Sequence, residues 1–335
     1  AAVSSGASGS VAIGYSALGA IESGEFNTAV GFESLKTENQ GDKNTAIGYD
    51  TLGVNTTGSS NVAVGAHALN ANTTASNNTA VGEESLGANT TGTANVAIGY
   101  QSLDTNTTGD NNTALGHRAL DANTTADNNT GVGAFALNSN TTGTQNTSVG
   151  VFALDHNTTG SNNTTIGHSS LGANTTGVSN TSMGSEALDA NTTGDFNTAI
   201  GRQALTNNTT ADNNTAVGRA ALSANTTGAS LNAVGANALD ANTTGSFNNA
   251  FGQNCMGANT TGHRNTAMGQ DSFQANTTGA RNTAVGNSAL AFNTTADNNT
   301  AVGNNALVAN TTGASSVAVG AFALQNTTTG SQCTA

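Results

Sequence analysis

The sequence predicts an all-β fold, a parallel β-solenoid (β-roll) of about 19 coils with 17 residues in each coil. Three observations support this prediction: an unbroken periodic glycine, a short β-prone segment before it, and charges confined to a few positions of the repeat. We number each repeat from its glycine, which is position 0. The glycine recurs every 17 residues in 19 copies, at Gly14, Gly31, Gly48, Gly65, Gly82, Gly99, Gly116, Gly133, Gly150, Gly167, Gly184, Gly201, Gly218, Gly235, Gly252, Gly269, Gly286, Gly303 and Gly320.

The segment before the glycine reads Asn-Thr-Ala-Val-Gly in its commonest form, which is typical of a short β-strand. Position −1 is apolar in every copy. Position +3 is small, and position +4 is Leu in 17 copies, with Met256 and Phe273 in the other two. We therefore predict that positions −1, +3 and +4 form the core. Small residues at −2 and +3 indicate a close contact, which we assign to a second chain.

The glycine at position 0 is never replaced, so either its backbone needs a positive φ or a neighbouring chain approaches too closely for a side chain. Position +10 is less strict. It holds Gly in 15 copies and Ala in four, namely Ala75, Ala126, Ala211 and Ala296. A left-handed conformation is therefore not expected at this position.

Asparagine recurs at two positions of the repeat. Asn occupies position −4 in 16 copies, and Asn-Thr-Thr fills positions +7 to +9 in 16 consecutive copies, from Asn55 to Thr312. Identical side chains about 4.8 Å apart can form hydrogen-bonded ladders through their amides. Each Asn-Thr-Thr is also a formal N-glycosylation sequon. The ladder already explains these residues, and glycosylation remains an alternative.

Charged residues mark the outside of the coil. Of 27 charged residues, 25 lie at positions +1, +2, +5, +11 or +12, and the exceptions are Glu22 and Glu38 in the first two coils. Charges do not stack in a buried row, so we expect these five positions to face solvent. The net charge is −13 with seven basic residues, which argues against nucleic-acid binding. No apolar run approaches the 18 residues of a membrane span.

No break in composition divides the chain. We predict an N-terminal lead-in or partial coil over residues 1–9, one continuous solenoid domain over residues 10–330, and a C-terminal tail over residues 331–335. The first residues, Ala1–Ser5, lack the basic start and apolar stretch of a signal peptide, so for an exported protein we expect this to be the processed chain or a fragment of it. The thin core of each coil favours an oligomer, and we expect a trimer.

The residues that carry site chemistry do not converge. Cys255 and Cys333 lie between four and five coils apart, about 20 Å at one strand spacing per coil, which is too far for a disulfide. Cys255 replaces a small residue of its repeat and is expected to be a buried filler. Cys333 is a candidate for cross-linking to another chain. The histidines fall at scattered positions and predict no metal site; they are His67, His117, His156, His168 and His263.

Aspartates recur at +5 and +11 in Asp104, Asp121, Asp110 and Asp127, but the rows are too short to predict a calcium site. No nucleophile-base constellation, phosphate loop or dinucleotide motif is present. We therefore predict no enzyme, no cofactor, and no catalytic, cofactor-binding or metal-binding residues. The aromatic residues at +1, +2 and +12 are expected at contacts between chains, and they are Tyr15, Phe32, Tyr49, Tyr100, Phe135, Phe152, Phe322, Phe26, Phe196 and Phe247.

Three segments, residues 10–14, 95–99 and 316–320, read Ser-Val-Ala-Ile-Gly or a close variant. They resemble the signature of YadA-like head repeats in trimeric autotransporter adhesins. The longer unit from Asn44 to Gly58 is also similar to repeats in fibre proteins of phages and marine bacteria. The resemblance covers residues 10–330 and implies a left-handed parallel β-roll, a homotrimer and adhesion to a surface. The unit here is longer, because Asn-Thr-Thr is added.

These observations predict a non-enzymatic structural subunit of an extracellular or cell-surface fibre or filament, with adhesion to a host or environmental surface as a narrower form of this function. We expect lateral self-association and end-to-end joining through open solenoid ends. The first alternative is a phage or virus tail-fibre repeat that binds a receptor as part of a virion. The second is an ice- or polysaccharide-binding solenoid.

Overall fold

A computed structural model describes residues 8–335, and these residues form short parallel β-strands joined by turns. The chain divides into two compact units, Ala1–Thr164 and Thr165–Ala335. Strands of the first unit are β1 (Val11–Ile13), β2 (Thr28–Val30), β3 (Thr45–Ile47), β4 (Val62–Val64), β5 (Thr79–Val81), β6 (Val96–Ile98), β7 (Thr113–Leu115), β8 (Thr130–Val132) and β9 (Thr147–Val149). β10 (Thr164–Ile166) contains the residues at which the units divide.

Strands of the second unit are β11 (Thr181–Met183), β12 (Thr198–Ile200), β13 (Thr215–Val217), β14 (Asn232–Val234), β15 (Asn249–Phe251), β16 (Thr266–Met268), β17 (Thr283–Val285), β18 (Thr300–Val302) and β19 (Val317–Val319). Each strand occupies positions −3 to −1 of its repeat. Within each unit the strands pair in parallel with the same position of the next coil, as Ala46 does with Ala63. The predicted β-solenoid with one coil per repeat is therefore confirmed.

The ends of the chain differ in what can be described. Residues 1–7 of the predicted lead-in lie outside the described residues. At the other end, the residues after Gln332 continue the sheet. The backbone N–H of Val317 donates to Cys333, and the N–H of Ala335 donates back to Val317. Among residues 8–335, no helix is long and apolar enough to cross a membrane.

The core of each coil is narrower than the sequence suggested. Positions −2, +3 and +4 are buried in all but the two end coils, as in Ala63, Ala68 and Leu69. The prediction for +3 and +4 is confirmed, but that for −1 is wrong. The side chain at −1 points outward, with Ile47 40% exposed and Ile98 37% exposed. Side chains alternate along a strand, so an inward alanine at −2 places −1 and −3 on the outer face.

The small residues at −2 and +3 therefore pack inside their own chain, and their assignment to a contact with a second chain is also wrong. Leu69 at +4 supplies the large apolar side chain of its coil, and the alanines around it leave room for that side chain. A core of one leucine and a few small residues per coil is thin. Buried asparagines complete it.

Three residues of every coil have a positive φ although they are not glycine. They lie at +2, +4 and +12, as in Phe135 (φ 59°), Leu137 (φ 55°) and Gln145 (φ 59°). The left-handed region is especially unfavourable for β-branched side chains. Val, Ile and Thr are absent from these three positions in all 19 coils. This explains why the buried apolar residue at +4 is Leu, Met or Phe.

The glycine at position 0 has the positive φ that the sequence suggested, and the close neighbour is the next coil of the same chain. Its φ lies between 129° and 145° in all copies. A Cβ on Gly218 would lie 2.5 Å from the carbonyl oxygen of Gly235 in the next coil. The glycines at +10 have no positive φ, so the expectation for that position is confirmed.

Candidate functional site

The asparagines at +7 form a buried ladder, as predicted. Nδ2 of Asn106 donates to Oδ1 of Asn89 at 2.9 Å and to the carbonyl oxygen of Gly109 at 3.0 Å. The same pair of bonds recurs along the first unit from Asn72 to Asn157 and along most of the second unit. These amide nitrogens are buried and donate twice. A glycan therefore cannot be attached to them in the folded chain.

The asparagines at −4 are buried as well but bond mainly to the backbone. Oδ1 of Asn95 accepts from the backbone N–H of Asn112 at 2.9 Å, and Nδ2 of Asn95 donates to Gly109 at 2.8 Å. The predicted amide ladder thus describes the +7 row better than the −4 row. Each side chain of the −4 row lies just before one strand and bonds to the backbone segment that precedes the next strand.

Glu38 lies in the ladder position of the second coil and is fully buried. Its Oε1 accepts from the N–H of Gly41, and its Oε2 accepts from the side-chain amides of Asn44 and Asn55. Burial raises the pKa of this carboxyl from 4.5 to about 7, against the opposing effect of the hydrogen bonds. The sequence identified Glu38 as a charge outside the usual positions, and the structure places it at the end of the ladder.

The outward side chains of the strands form an uncharged surface in each unit, which we call the sheet face. It consists of positions −3 and −1. Position −3 holds Thr, Val or Asn, and position −1 is apolar throughout. The −1 residues are exposed or half-buried, and they are Ile13, Val30, Ile47, Val64, Val81, Ile98, Leu115, Val132, Val149, Ile166, Met183, Ile200, Val217, Val234, Phe251, Met268, Val285, Val302 and Val319.

The two threonines of Asn-Thr-Thr behave differently. The hydroxyl at +8 donates to the carbonyl of the next coil, as Thr90 does to Thr107 at 3.0 Å. The threonine at +9 is exposed in all 16 copies, and no hydrogen bond of its hydroxyl is present in the described residues. We call these residues the threonine row: Thr57, Thr74, Thr91, Thr108, Thr125, Thr142 and Thr159 in the first unit, and Thr176, Thr193, Thr210, Thr227, Thr244, Thr261, Thr278, Thr295 and Thr312 in the second.

Aromatic side chains at +1 and +2 stack along the first unit. The ring centroids of Tyr15 and Phe32 lie 5.1 Å apart, and those of Phe32 and Tyr49 lie 5.6 Å apart. A second column joins Tyr100, His117, Phe135 and Phe152 at spacings from 4.9 to 5.6 Å. These rings contact one another within the chain while remaining at the surface. The sequence did not predict these intrachain stacks.

The two cysteines are Cys255, which is buried as the sequence predicted, and Cys333, which is half-buried. Both are free, so the chain has no internal disulfide. Cys255 is fully buried, and burial raises the pKa of its thiol to about 12, which keeps it protonated and unreactive at neutral pH. Its Sγ contacts the carbonyl oxygen of Ala267 at 3.3 Å. Cys255 is therefore a small core residue.

The aspartates are spread along the coil surface. Asp127 accepts from the backbone N–H of Asp110, and Asp110 accepts from that of Thr93. Each of these two +11 carboxylates therefore bonds to the backbone of the +11 residue in the preceding coil. Burial and the neighbouring charge of Asp121 raise the pKa of Asp104 to about 6. Within residues 8–335, no three His, Cys, Asp or Glu side chains are grouped as metal ligands would be.

Open surface clefts of 290 to 380 Å³ lie between the side chains of adjacent coils. One is lined by His67, Glu84 and Asp104. The most regular surfaces of the molecule are the sheet face and the threonine row, which recur from coil to coil. No protein-family model matches this chain, and no curated protein matches it in sequence.

Proposed function

We propose that this chain is a non-enzymatic structural subunit of an extracellular or cell-surface fibre, and that copies associate laterally through the sheet face. The observation that carries the proposal is the outward position of the apolar residue at −1. An apolar row that repeats in every coil without a single charge is unusual on a surface exposed to water. Contact with another such row would remove it from water.

The dimensions of the sheet face suit a contact between copies. Nine strands at about 4.8 Å each give each unit a face about 40 Å long and two side chains wide. The strands pair in one unbroken register, so the side chains of each position align in a row along the face. The charges that give the chain a net charge of −13 lie at other positions, so like charges do not meet across this contact.

Three chains around an axis remain the arrangement that we favour, because each sheet face is narrow and a closed ring covers all copies equally. Extended fibres and adhesion to a surface are further parts of this proposal. The equivalence of the coils supports a structural role, since an active site needs one distinct set of residues. A phage or virus tail-fibre repeat would use the same architecture and is the alternative.

Light scattering coupled to size exclusion tests the lateral contact. We expect the wild-type chain to have three times the mass of one chain. The variant Ile98→Lys places a charge in the middle of the sheet face of the first unit and is expected to shift the mass to that of one chain. Ala94→Lys, four residues earlier, is the matched control, because position +12 already holds Lys43, Arg264 and Arg281. A monomeric wild type, or equal masses for both variants, would contradict the proposal.

A further inference from the structure

The threonine row combines full repetition with exposure. Other exposed positions of the coil vary freely: position +12, for example, holds Lys43, Ala94, Gln145, Phe196 and Arg264 in different copies. Position +9 is Thr in 16 consecutive copies although it is exposed in each of them. A position that faces water normally tolerates many side chains. Its uniformity therefore needs a cause.

The fold supplies no such cause through hydrogen bonding. Asn89 at +7 is held by the ladder, and Thr90 at +8 bonds to the next coil. The hydroxyl of Thr91 at +9 makes neither kind of bond, although its backbone N–H donates to the carbonyl oxygen of Thr107 in the next coil. Its place in an N-glycosylation sequon is no explanation either, because the Asn89 amide is buried in the folded chain. The free hydroxyls point instead to a partner in the surroundings.

We propose that, within each unit, the threonine row binds a linear, neutral polysaccharide that lies along the coil axis. A threonine hydroxyl both donates and accepts hydrogen bonds, as sugar hydroxyls do, and its methyl group can contact the apolar face of a sugar ring. Successive threonines are about 4.8 Å apart, which is close to the advance per sugar of an extended β-linked chain. One exposed threonine per coil matches a linear polymer better than a two-dimensional crystal surface.

The charge pattern selects a neutral polymer. From residue 55 to residue 313, positions +7 to +10 carry no charge, and the net charge of −13 disfavours a polyanion. Three residues after several of the threonines, exposed side chains add suitable groups. Asn77 and Asn111 provide amides, and Phe196 and Phe247 provide rings. Each contact is weak, and repetition along the row multiplies the affinity.

Affinity electrophoresis in gels that contain hydroxyethylcellulose, galactomannan or glycol chitin tests the proposal. We expect at least one of these polymers to retard the wild-type chain. The combined variant Thr74→Val, Thr91→Val, Thr108→Val and Thr125→Val keeps the shape of the row but removes four hydroxyls, and it is expected to bind at least tenfold more weakly. The corresponding Ser variant keeps the hydroxyls and is expected to bind within threefold of the wild type.

The matched control removes four hydroxyls from the sheet face, with Thr79→Val, Thr113→Val, Thr130→Val and Thr147→Val. Valine already occupies that position in β4 and β6, so the control is expected to fold and to be retarded like the wild type. Circular dichroism and light scattering on every variant separate this proposal from lateral association, which does not involve the row. No retardation of the wild type by any polymer, or equal retardation of the Thr→Val and wild-type rows, overturns the proposal. Binding to ice in place of the polymers would assign the row to ordered water and also overturn it.

Discussion

Asn55 donates a hydrogen bond from Nδ2 to Oε2 of Glu38, in the position where Asn72 and most of the later ladder asparagines donate to another asparagine. The ladder has a direction, since these amides donate towards the N-terminus and accept from the coil that follows. Its N-terminal end needs an acceptor. Glu38 supplies one, and the same position of the preceding coil holds the buried apolar Ile21, so the ladder ends there.

This arrangement predicts a dependence of stability on pH. The folded pKa of Glu38 is raised from 4.5 to about 7, so the folded chain binds this proton more tightly than the unfolded chain does. The contribution of Glu38 to the free energy of unfolding is therefore complete below about pH 4.5 and is lost as the pH rises through 7. The loss is on the order of 3 kcal/mol.

Denaturant unfolding of the wild type and of Glu38→Asn between pH 4.5 and 8.5 measures this effect. Asn is the usual ladder residue, and it does not ionise. We expect the variant to gain stability relative to the wild type as the pH rises. Asp42→Asn is the control, because Asp42 acts on Glu38 only through its charge, which raises the pKa of Glu38 further. A stability difference between wild type and Glu38→Asn that is constant with pH would contradict this prediction.

A second prediction separates crowding from backbone conformation at two glycines of one coil. A Cβ on Gly218 would lie 2.5 Å from the carbonyl oxygen of Gly235, and a Cβ on Gly228 would lie 2.5 Å from that of Gly245. The difference is that Gly218 has a φ of 135°, whereas Gly228 has no positive φ. Four other coils accommodate Ala at the position of Gly228.

We expect Gly218→Ala to lower the free energy of unfolding by about 3 kcal/mol or more, because strain in φ adds to the crowding. Gly228→Ala should cost less than about 1 kcal/mol, since small backbone shifts relieve the contact. Urea unfolding of both variants provides the comparison. Similar losses would mean that crowding alone keeps glycine at position 0.

The sequence predicted the repeat, the parallel solenoid and the +7 ladder because these depend on periodicity and on the exclusion of charge. It placed Val64 and its equivalents in the core because position −1 is apolar and never charged. Within a short strand, alternation permits either face to be buried, and the inward position here has room only for residues such as Ala63. The leucine at +4 fills the remaining space. Apolar character and the absence of charge could not decide which face of the strand was inside.

The left-handed residues could have been recognised from the sequence. Positions +2, +4 and +12 lack β-branched residues in every coil, although Thr and Val are frequent elsewhere. The sheet face and the free hydroxyls of the threonine row could not have been recognised in this way. Both depend on which side of the backbone each residue occupies, and the closure of the coil determines that.

A third prediction tests the left-handed conformation at +4. Leu137 is fully buried and has a φ of 55°. Ile has as many carbon atoms as Leu, so Leu137→Ile leaves the hydrophobic content of the core unchanged and adds a branch at Cβ. The branch is disfavoured at a positive φ, and we expect the variant to lose about 2 kcal/mol of unfolding free energy.

Leu137→Met is the matched control, because Met256 occupies the same position with a φ of 53°. It should cost less than about 1.5 kcal/mol. Thermal and urea unfolding of the two variants give the comparison, and an Ile variant as stable as the Met variant would show that φ does not select the residue at +4.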